Sequence, residues 1–197
     1  MYRSADFVFP DGFPVLVSSR LLGKRISERV TGADLFPSVC RRLAAGGGKA
    51  FVLGGKPGGE ERICQKLSRK YAGLNVLAYS PAYGFTEDGP HAEASAETIN
   101  AWKPNVVFAC LGTPRQELWA FKWRAELRAN LVLCLGAALD FDMGDVQRAP
   151  RCFRSLGLEW LWRLLREPGR LGKRYLLDDL GFLKILWQEF VKSVPKQ

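Results

Sequence analysis

The feature that most constrains the fold is a series of short, almost wholly apolar segments, each closed by glycine or proline. The clearest are Asp6–Pro10, Ala50–Gly54, Asn105–Gly112 and Asn130–Gly136, and Leu74–Ala78 is a weaker fifth. A strand that is buried on both faces is apolar throughout, without the alternation of a half-exposed strand. These segments therefore predict interior strands of a parallel sheet.

Helical patterns separate the predicted strands. Apolar residues three and four positions apart predict helices over Ala33–Ala45, Gly59–Tyr71 and Pro114–Leu127. Strands that alternate with helices of ten to fifteen residues are typical of parallel sheets with right-handed crossovers. We therefore expect the α/β class: a Rossmann-like, mostly parallel sheet with flanking helices.

The pattern changes near Arg148, after which no strand is predicted. Helical periodicity covers Leu156–Arg166 and Tyr175–Val194. From residue 148 onward there are eleven Lys and Arg against five Asp and Glu, a net of +6 out of the chain's +9. We expect an α/β core over residues 1–147 and a helical, basic appendage over residues 148–197.

A basic appendage suits nucleic acid, anionic lipid or a phosphorylated ligand, and charge alone does not choose among them. The second predicted helix carries a continuous apolar stripe rich in Leu, Trp and Phe, which favours a lipid surface over nucleic acid. The longest uncharged apolar stretch, Leu131–Leu139, is too short to span a bilayer. The N-terminus lacks the apolar region of a signal peptide, so we expect a cytoplasmic location.

Glycines and polar residues follow three of the predicted strands, where open α/β sheets bind their ligands. Asp11 could act as a general base or could be an ordinary turn residue. The stretch Gly54–Gly58, with Lys56, could hold phosphate or form a plain strand-to-helix turn. Gln116 and Glu117 open a helix towards the ligand side, although Glu117 could simply stabilise the helix N-terminus.

Two other motifs are interpreted as structural. Asp140 and Asp142 match the metal-binding Asp-X-Asp pattern, but a strand end followed by Gly144 explains them equally well, so no metal site is expected. The one histidine, His91, lies in a polar stretch that predicts a surface loop. The five cysteines contain no Cys-X-X-Cys pair, which argues against zinc ribbons and thioredoxin-like chemistry.

Taken together, an ordered series of motifs resembles the WecG/TagA/CpsF glycosyltransferases, of the family 26 type. The matching stretches, with compatible spacing, are Pro10–Gly12, Glu28–Asp34, Gly54–Gly58, Gly112–Trp119, Arg148–Pro150, Gly157–Leu164, Glu167–Pro168 and Arg170–Tyr175. Each motif is weak alone, and the specificity lies in their order.

The resemblance implies an inverting transfer from a UDP-sugar to an undecaprenyl-diphosphate-linked saccharide, without metal or other cofactor. The donor sugar stays open among N-acetylmannosamine, its uronic acid, glucose and similar hexoses. The family's catalytic residues fall on Asp11 and Gln116. Its substrate-binding positions fall on Gly12, Arg29, Thr31, Gly54, Gly55, Lys56, Gly112, Pro114 and Glu117, and on Arg163, Arg166, Arg170 and Arg174 of the appendage.

The resemblance also implies a peripheral position on the inner face of the cell membrane, reached through the C-terminal helices, and no nucleic-acid partner. Family chains usually carry a further N-terminal segment before the aspartate motif, and Asp11 stands close to Met1, so we expect that segment to be missing. An inactive or truncated member, or a basic α/β module that binds anionic lipid, is the alternative. Self-association is left open.

Overall fold

A computed structural model describes residues 2–150, 152–153, 158–166, 169, 181, 184 and 186–188. The chain divides into two compact units. The first contains residues up to Val8 and residues 31–147, and the second contains residues 9–30 and the described residues from 148 onward. Within the described part, no helix is both long and apolar enough to cross a membrane.

The first unit contains a sheet of four parallel strands. These are β1 (Lys49–Gly54), β2 (Asn75–Tyr79), β3 (Val106–Cys110) and β4 (Leu131–Cys134). The strands lie in the order β2-β1-β3-β4. In register, Phe51 of β1 is aligned with Leu77 of β2 and with Val107 of β3. Four of the five predicted strands and the predicted α/β, Rossmann-like class are therefore confirmed.

Helices connect and flank the strands. The helices whose bounds lie within the described residues are, in chain order, α1 (Phe13–Leu21), α2 (Gly32–Ala44), α3 (Glu60–Lys70), α4 (Pro90–Trp102), α5 (Arg115–Trp123), α6 (Ala138–Asp142) and α7 (Glu159–Arg166), and a 3-10 turn covers Tyr2–Ser4. The predicted helices over Ala33–Ala45, Gly59–Tyr71, Pro114–Leu127 and Leu156–Arg166 correspond to α2, α3, α5 and α7. The predicted helix over 175–194 lies largely outside the described residues.

The two faces of the sheet form two separate layers of the core. Ala50, Val52 and Phe108 pack with residues of α2, α3 and α6, whereas Phe51 and Val107 pack with residues of α4 and α5. Successive strand residues point to opposite faces, so both sets must be apolar when both faces are covered. Burial of each valine or phenylalanine side chain stabilises the fold by about 1.5–3 kcal/mol.

The predicted first strand is wrong. Residues 6–10 are irregular, and Phe7 and Val8 are 72% and 61% exposed. An apolar run becomes a strand only when a neighbouring strand accepts its backbone hydrogen bonds, and none of the four strands of the described sheet pairs with this segment. Asp11 therefore does not follow a strand, and it stands directly before Gly12, the N-cap of α1.

The interpretation of His91 as a surface-loop residue is also wrong. His91 lies in the first turn of α4 and is half-buried. Its Nδ1 lies 2.9 Å from the hydroxyl of Tyr79, the last residue of β2. Pro90 opens the helix because its fixed φ suits the first turn and its missing N–H is not needed there.

Candidate functional site

The strand order places a topological switch point between β1 and β3. The chain leaves β1 to form β2 on one side of it, and then forms β3 on the other side. In open α/β sheets, ligands bind beyond the carboxyl ends of the strands at such a point. Gly54, Gly55 and Gly112 lie at this edge, as the sequence predicts, and their ligand contacts stay predictions.

The backbone is closely packed where β1 ends. Gly54 has a φ of 138°, and a Cβ placed on it would lie 2.5 Å from the carbonyl oxygen of Cys110. A Cβ on Gly55 would lie 2.7 Å from Cδ1 of Ile63. The Ser80 hydroxyl donates to the Gly54 carbonyl oxygen at 2.8 Å. Glycine is required here so that β1 can end against its neighbours.

The turn after β1 carries charges of both signs. Lys56 is exposed, whereas the first turn of α3 contains Glu60 and Glu61. Glu60 Oε1 also accepts a hydrogen bond from the Ser80 backbone N–H at 3.0 Å. These carboxylates already offset the positive end of the helix dipole. A phosphate role for Gly54, Gly55 and Lys56 would therefore depend on the Lys56 ammonium group, and it stays a prediction.

Gln116 and Glu117 link the loops that follow β3 and β4. The Gln116 side chain accepts a hydrogen bond from the Gly136 N–H at 2.9 Å through Oε1, and it donates to Glu117 Oε1 at 2.9 Å through Nε2. The Thr113 hydroxyl donates to the same Glu117 oxygen at 3.0 Å. Pro114, which follows a cis peptide bond, caps α5. Gln116 is therefore held at both ends of its amide.

The Gln116 side chain and the Glu117 Oε2 atom are buried, so a missing hydrogen bond is costly for either of them. Gln116 is only 3% exposed, and Glu117 Oε2 is buried without a hydrogen-bond partner among the described residues. Buried amides and carboxylates that lack partners are costly, so the contacts that are made orient both side chains. The geometry indicates that Glu117 positions Gln116. The catalytic role of Gln116 and the substrate-binding role of Glu117 stay predictions.

We expect Glu117→Ala to lower the free energy of unfolding by about 1 kcal/mol. The change leaves the buried Nε2 of Gln116 and the Thr113 hydroxyl without their shared acceptor, whereas loss of the partnerless Oε2 offsets part of the cost. Urea denaturation measures the difference. Glu126→Ala, in the exposed turn after α5, is the matched control, and an equal loss in both variants would contradict the positioning role.

The cysteines near this edge are not nucleophiles at neutral pH. Burial raises the pKa of the Cys110 thiol to about 12. Burial, followed by the nearby Glu117 charge, raises the pKa of Cys134 to about 12. Because the thiolate is the reactive form, both side chains act as small apolar residues. The Cys110 and Cys134 thiols are therefore not candidates for a nucleophile at this edge.

In the second unit, Asp11 is exposed and stands directly before Gly12, which caps α1 with an ordinary φ of −77°. The Gly12 carbonyl oxygen accepts the first helical hydrogen bond, from the Val15 N–H at 3.1 Å. The Pro10 carbonyl oxygen accepts from the Val30 N–H at 3.1 Å. That bond ties the aspartate motif to the segment that carries Arg29.

Arg29 is paired with a glutamate that sequence reasoning did not select. The Arg29 guanidinium lies 3.5 Å from Glu159 Oε2, and Arg148 Nε lies 3.9 Å from the other carboxylate oxygen. All three side chains are largely buried. Two guanidinium groups thus share one carboxylate. The sequence shows Glu159 in the first turn of a predicted helix, but it does not show that Arg29, which is distant in sequence, pairs with it.

Thr31, a predicted binding residue, forms the N-cap of α2. Its hydroxyl donates to Asp34 Oδ2 at 2.7 Å and accepts from the Asp34 N–H at 3.2 Å. Such caps typically stabilise a helix by about 1 kcal/mol. The described contacts of Thr31 are therefore structural, and its proposed contact with substrate stays a prediction.

The basic appendage is described only in part. Arg166 stacks its guanidinium 4.9 Å from the centre of the Trp162 ring. The backbone of Arg163 lies in α7, but its side chain is outside the description, and Arg170 and Arg174 lie outside the described residues. Their predicted roles in substrate binding stay predictions.

The Asp-X-Asp motif lies in a helix, not at the strand end that the sequence suggested. Asp140 and Asp142 are part of α6. Asp142 is almost fully buried and accepts hydrogen bonds from the Tyr71 hydroxyl at 2.8 Å and the Lys70 ammonium at 2.7 Å. Asp142 therefore joins α6 to α3. Among the described residues, no three His, Cys, Asp or Glu side chains converge as a metal site would require.

A parallel, helix-flanked sheet with glycines and a buried Gln–Glu pair at its switch point defines an α/β protein of the Rossmann-like class. The comparison with known families is more specific. The model of the glycosyl transferase WecG/TagA/CpsF family matches residues 1–195, and the chain belongs to this family.

Two curated relatives share one name, N-acetylglucosaminyldiphosphoundecaprenol N-acetyl-β-D-mannosaminyltransferase. The protein from Bacillus spizizenii strain W23 is 34% identical over 167 residues, which cover 85% of this chain and 63% of the relative. The protein from Bacillus subtilis strain 168 is 31% identical over 186 residues, which cover 94% of this chain and 70% of the relative. The chain thus spans about two thirds of the length of these relatives.

Proposed function

We propose that this chain is a glycosyltransferase that moves a sugar from a UDP donor onto a saccharide carried by undecaprenyl diphosphate, in the synthesis of a cell-surface polysaccharide. The observation that carries the proposal is the family match over residues 1–195, which includes Asp11 and Gln116. The names of the two relatives favour N-acetylmannosamine as the sugar and lipid-linked N-acetylglucosamine as the acceptor.

In the proposed reaction Asp11 is the general base. Its carboxylate takes the proton from the attacking hydroxyl of the acceptor, and the hydroxyl oxygen forms the new bond to the anomeric carbon. The bond from that carbon to the diphosphate breaks on the opposite face, and UDP leaves with the electron pair. An exposed carboxylate fits this role because it can meet a large lipid-linked acceptor.

The departing diphosphate needs positive charge. Arginine side chains supply it well because the guanidinium group can form two parallel hydrogen bonds to phosphate oxygens. In this proposal Arg29 and the arginines of the appendage contact the diphosphate. The pairing of Arg29 and Arg148 with Glu159 supports the assignment because two guanidinium groups here converge on one anionic group.

The proposal is tested with the purified chain, a soluble short-prenyl analogue of the diphosphate-linked N-acetylglucosamine acceptor, and a panel of UDP-sugars. We expect a disaccharide product with UDP-N-acetylmannosamine, identified by its mass and by a β linkage in NMR. A folded protein that forms no product with any donor would overturn the proposal. Retained binding of the acceptor without turnover would then favour the alternative of an inactive, lipid-binding family member.

We expect EDTA to leave the transfer rate unchanged within about twofold. The reason is that Asp142, the buried member of the Asp-X-Asp motif, is already bonded to Tyr71 and Lys70, and arginine can take over the charge-stabilising role of a metal. Initial rates with and without EDTA measure the effect. Strong inhibition that added Mn²⁺ or Mg²⁺ reverses would show a metal-dependent reaction.

A further inference from the structure

Helix α1 has an inverted distribution of polar and apolar residues. Ser18 and Ser19 are each only 8% exposed, whereas Val17 and Leu21 are 38% and 63% exposed. Pro14, which is also exposed, shares their side of the helix because it lies three positions before Val17 and seven before Leu21. A helix that exposes a stripe of apolar residues to solvent is typical of a surface that binds a partner or a membrane.

The buried serines explain why α1 is oriented this way. The Ser19 hydroxyl donates to the Leu16 carbonyl oxygen at 2.8 Å and accepts from the Ile26 N–H at 3.3 Å. The second bond ties the segment after α1 back onto the helix. Rotating α1 to bury Leu21 would break it, so the outward position of the apolar stripe is held by specific contacts.

Basic residues border the stripe. Arg20, Lys24 and Arg25 are exposed, and none of the three forms an ion pair within the described part of the chain. Residues 12–27 contain no Asp or Glu. Exposed apolar residues next to unneutralised cations are the combination that binds anionic lipid headgroups while inserting side chains among the acyl chains.

We propose that α1 and the turn after it form a membrane-contacting surface, made of Pro14, Val17, Leu21, Arg20, Lys24 and Arg25, for anionic phospholipid. Its residues are different from those of the basic C-terminal appendage. It follows the aspartate motif directly in the chain, so lipid contact would bring Asp11 to the membrane that carries the proposed acceptor. Lipid binding itself needs neither sugar substrate nor turnover.

The test is sedimentation of the full chain with vesicles of phosphatidylcholine containing about a third phosphatidylglycerol, without any sugar substrate. We expect the basic triple variant, Arg20→Ser, Lys24→Ser and Arg25→Ser, to bind about tenfold more weakly or worse. We expect the apolar pair, Val17→Ser and Leu21→Ser, to lose at least threefold. The control triple, Arg42→Ser, Arg69→Ser and Arg128→Ser, has the same charge change in the first unit and should lose much less.

A second measurement is independent of whether the apolar pair folds well. An environment-sensitive dye on Leu21→Cys, in a Cys152→Ser background, should shift to the blue when anionic vesicles are added. Unchanged dye emission, or equal losses in the basic and control triples, would overturn the proposal. So would concentration-dependent dimers that Leu21→Ser abolishes, because the stripe would then contact a second copy. Normal transferase activity alongside these results would leave the proposed function intact.

Discussion

Asp11→Asn should reduce the transfer rate by about 10²–10⁴-fold while the protein stays folded, since this is the usual contribution of a positioned general base. The amide keeps the size and shape of the side chain but cannot take the proton from the acceptor hydroxyl. Asp11 is exposed and asparagine has the same size, so the thermal unfolding midpoint should hardly change. The loss should appear mainly in kcat.

Asp6→Asn is the matched control for this experiment. Asp6 is another exposed carboxylate, five residues before Asp11 and outside every helix and strand. The two variants change net charge equally, so a general electrostatic effect on the anionic substrates would change both rates alike. Turnover by Asp11→Asn within about twofold of the wild-type rate would exclude Asp11 as the base, since general-base catalysis contributes far more than that.

Gly54→Ala should lower the free energy of unfolding by about 3 kcal/mol or more, from backbone strain and steric overlap together. The added Cβ would lie 2.5 Å from the Cys110 carbonyl oxygen and 2.8 Å from its carbonyl carbon. Both are backbone atoms of the neighbouring strand, so they cannot move aside without separating β1 from β3. Urea denaturation of the purified variant measures the loss.

Gly47→Ala separates the two causes. Gly47 also has a positive φ, 63°, but a Cβ placed there would meet no atom within 4 Å. Gly47→Ala should therefore lower the free energy of unfolding through backbone strain alone, by about 1–2 kcal/mol. Equal destabilisation of the two variants would show that the close approach of β1 to β3 contributes nothing.

The sheet was predictable because strands that are buried on both faces appear in the sequence as continuous apolar runs. Residues such as Phe51, Val52 and Val107 must all be apolar when helices cover both sides of the sheet. The segment 6–10 has the same composition but is exposed. An apolar composition shows that a segment could form a strand. It does not show whether a neighbouring strand is present to accept the segment's backbone hydrogen bonds.

The sequence indicated where Gln116 and Glu117 lie in the fold, but it did not indicate which hydrogen bonds they form. That Gln116 and Glu117 follow a strand could be read from the local pattern. Their bonds to Gly136 and Thr113, and the pairing of Arg29 with Glu159, depend on contacts between segments far apart in the chain. Helix α4 was missed for another reason: alanines form much of its buried face, so its periodic signal is weak.

The unequal surroundings of the five cysteines make the protein suitable for selective labelling. Cys152 is the exposed thiol, Cys40 is buried, and burial raises the pKa of Cys40, Cys110 and Cys134 to about 12. A maleimide reagent near neutral pH should therefore modify Cys152 first. A fluorophore or spin label there would report on the second unit without any engineered cysteine.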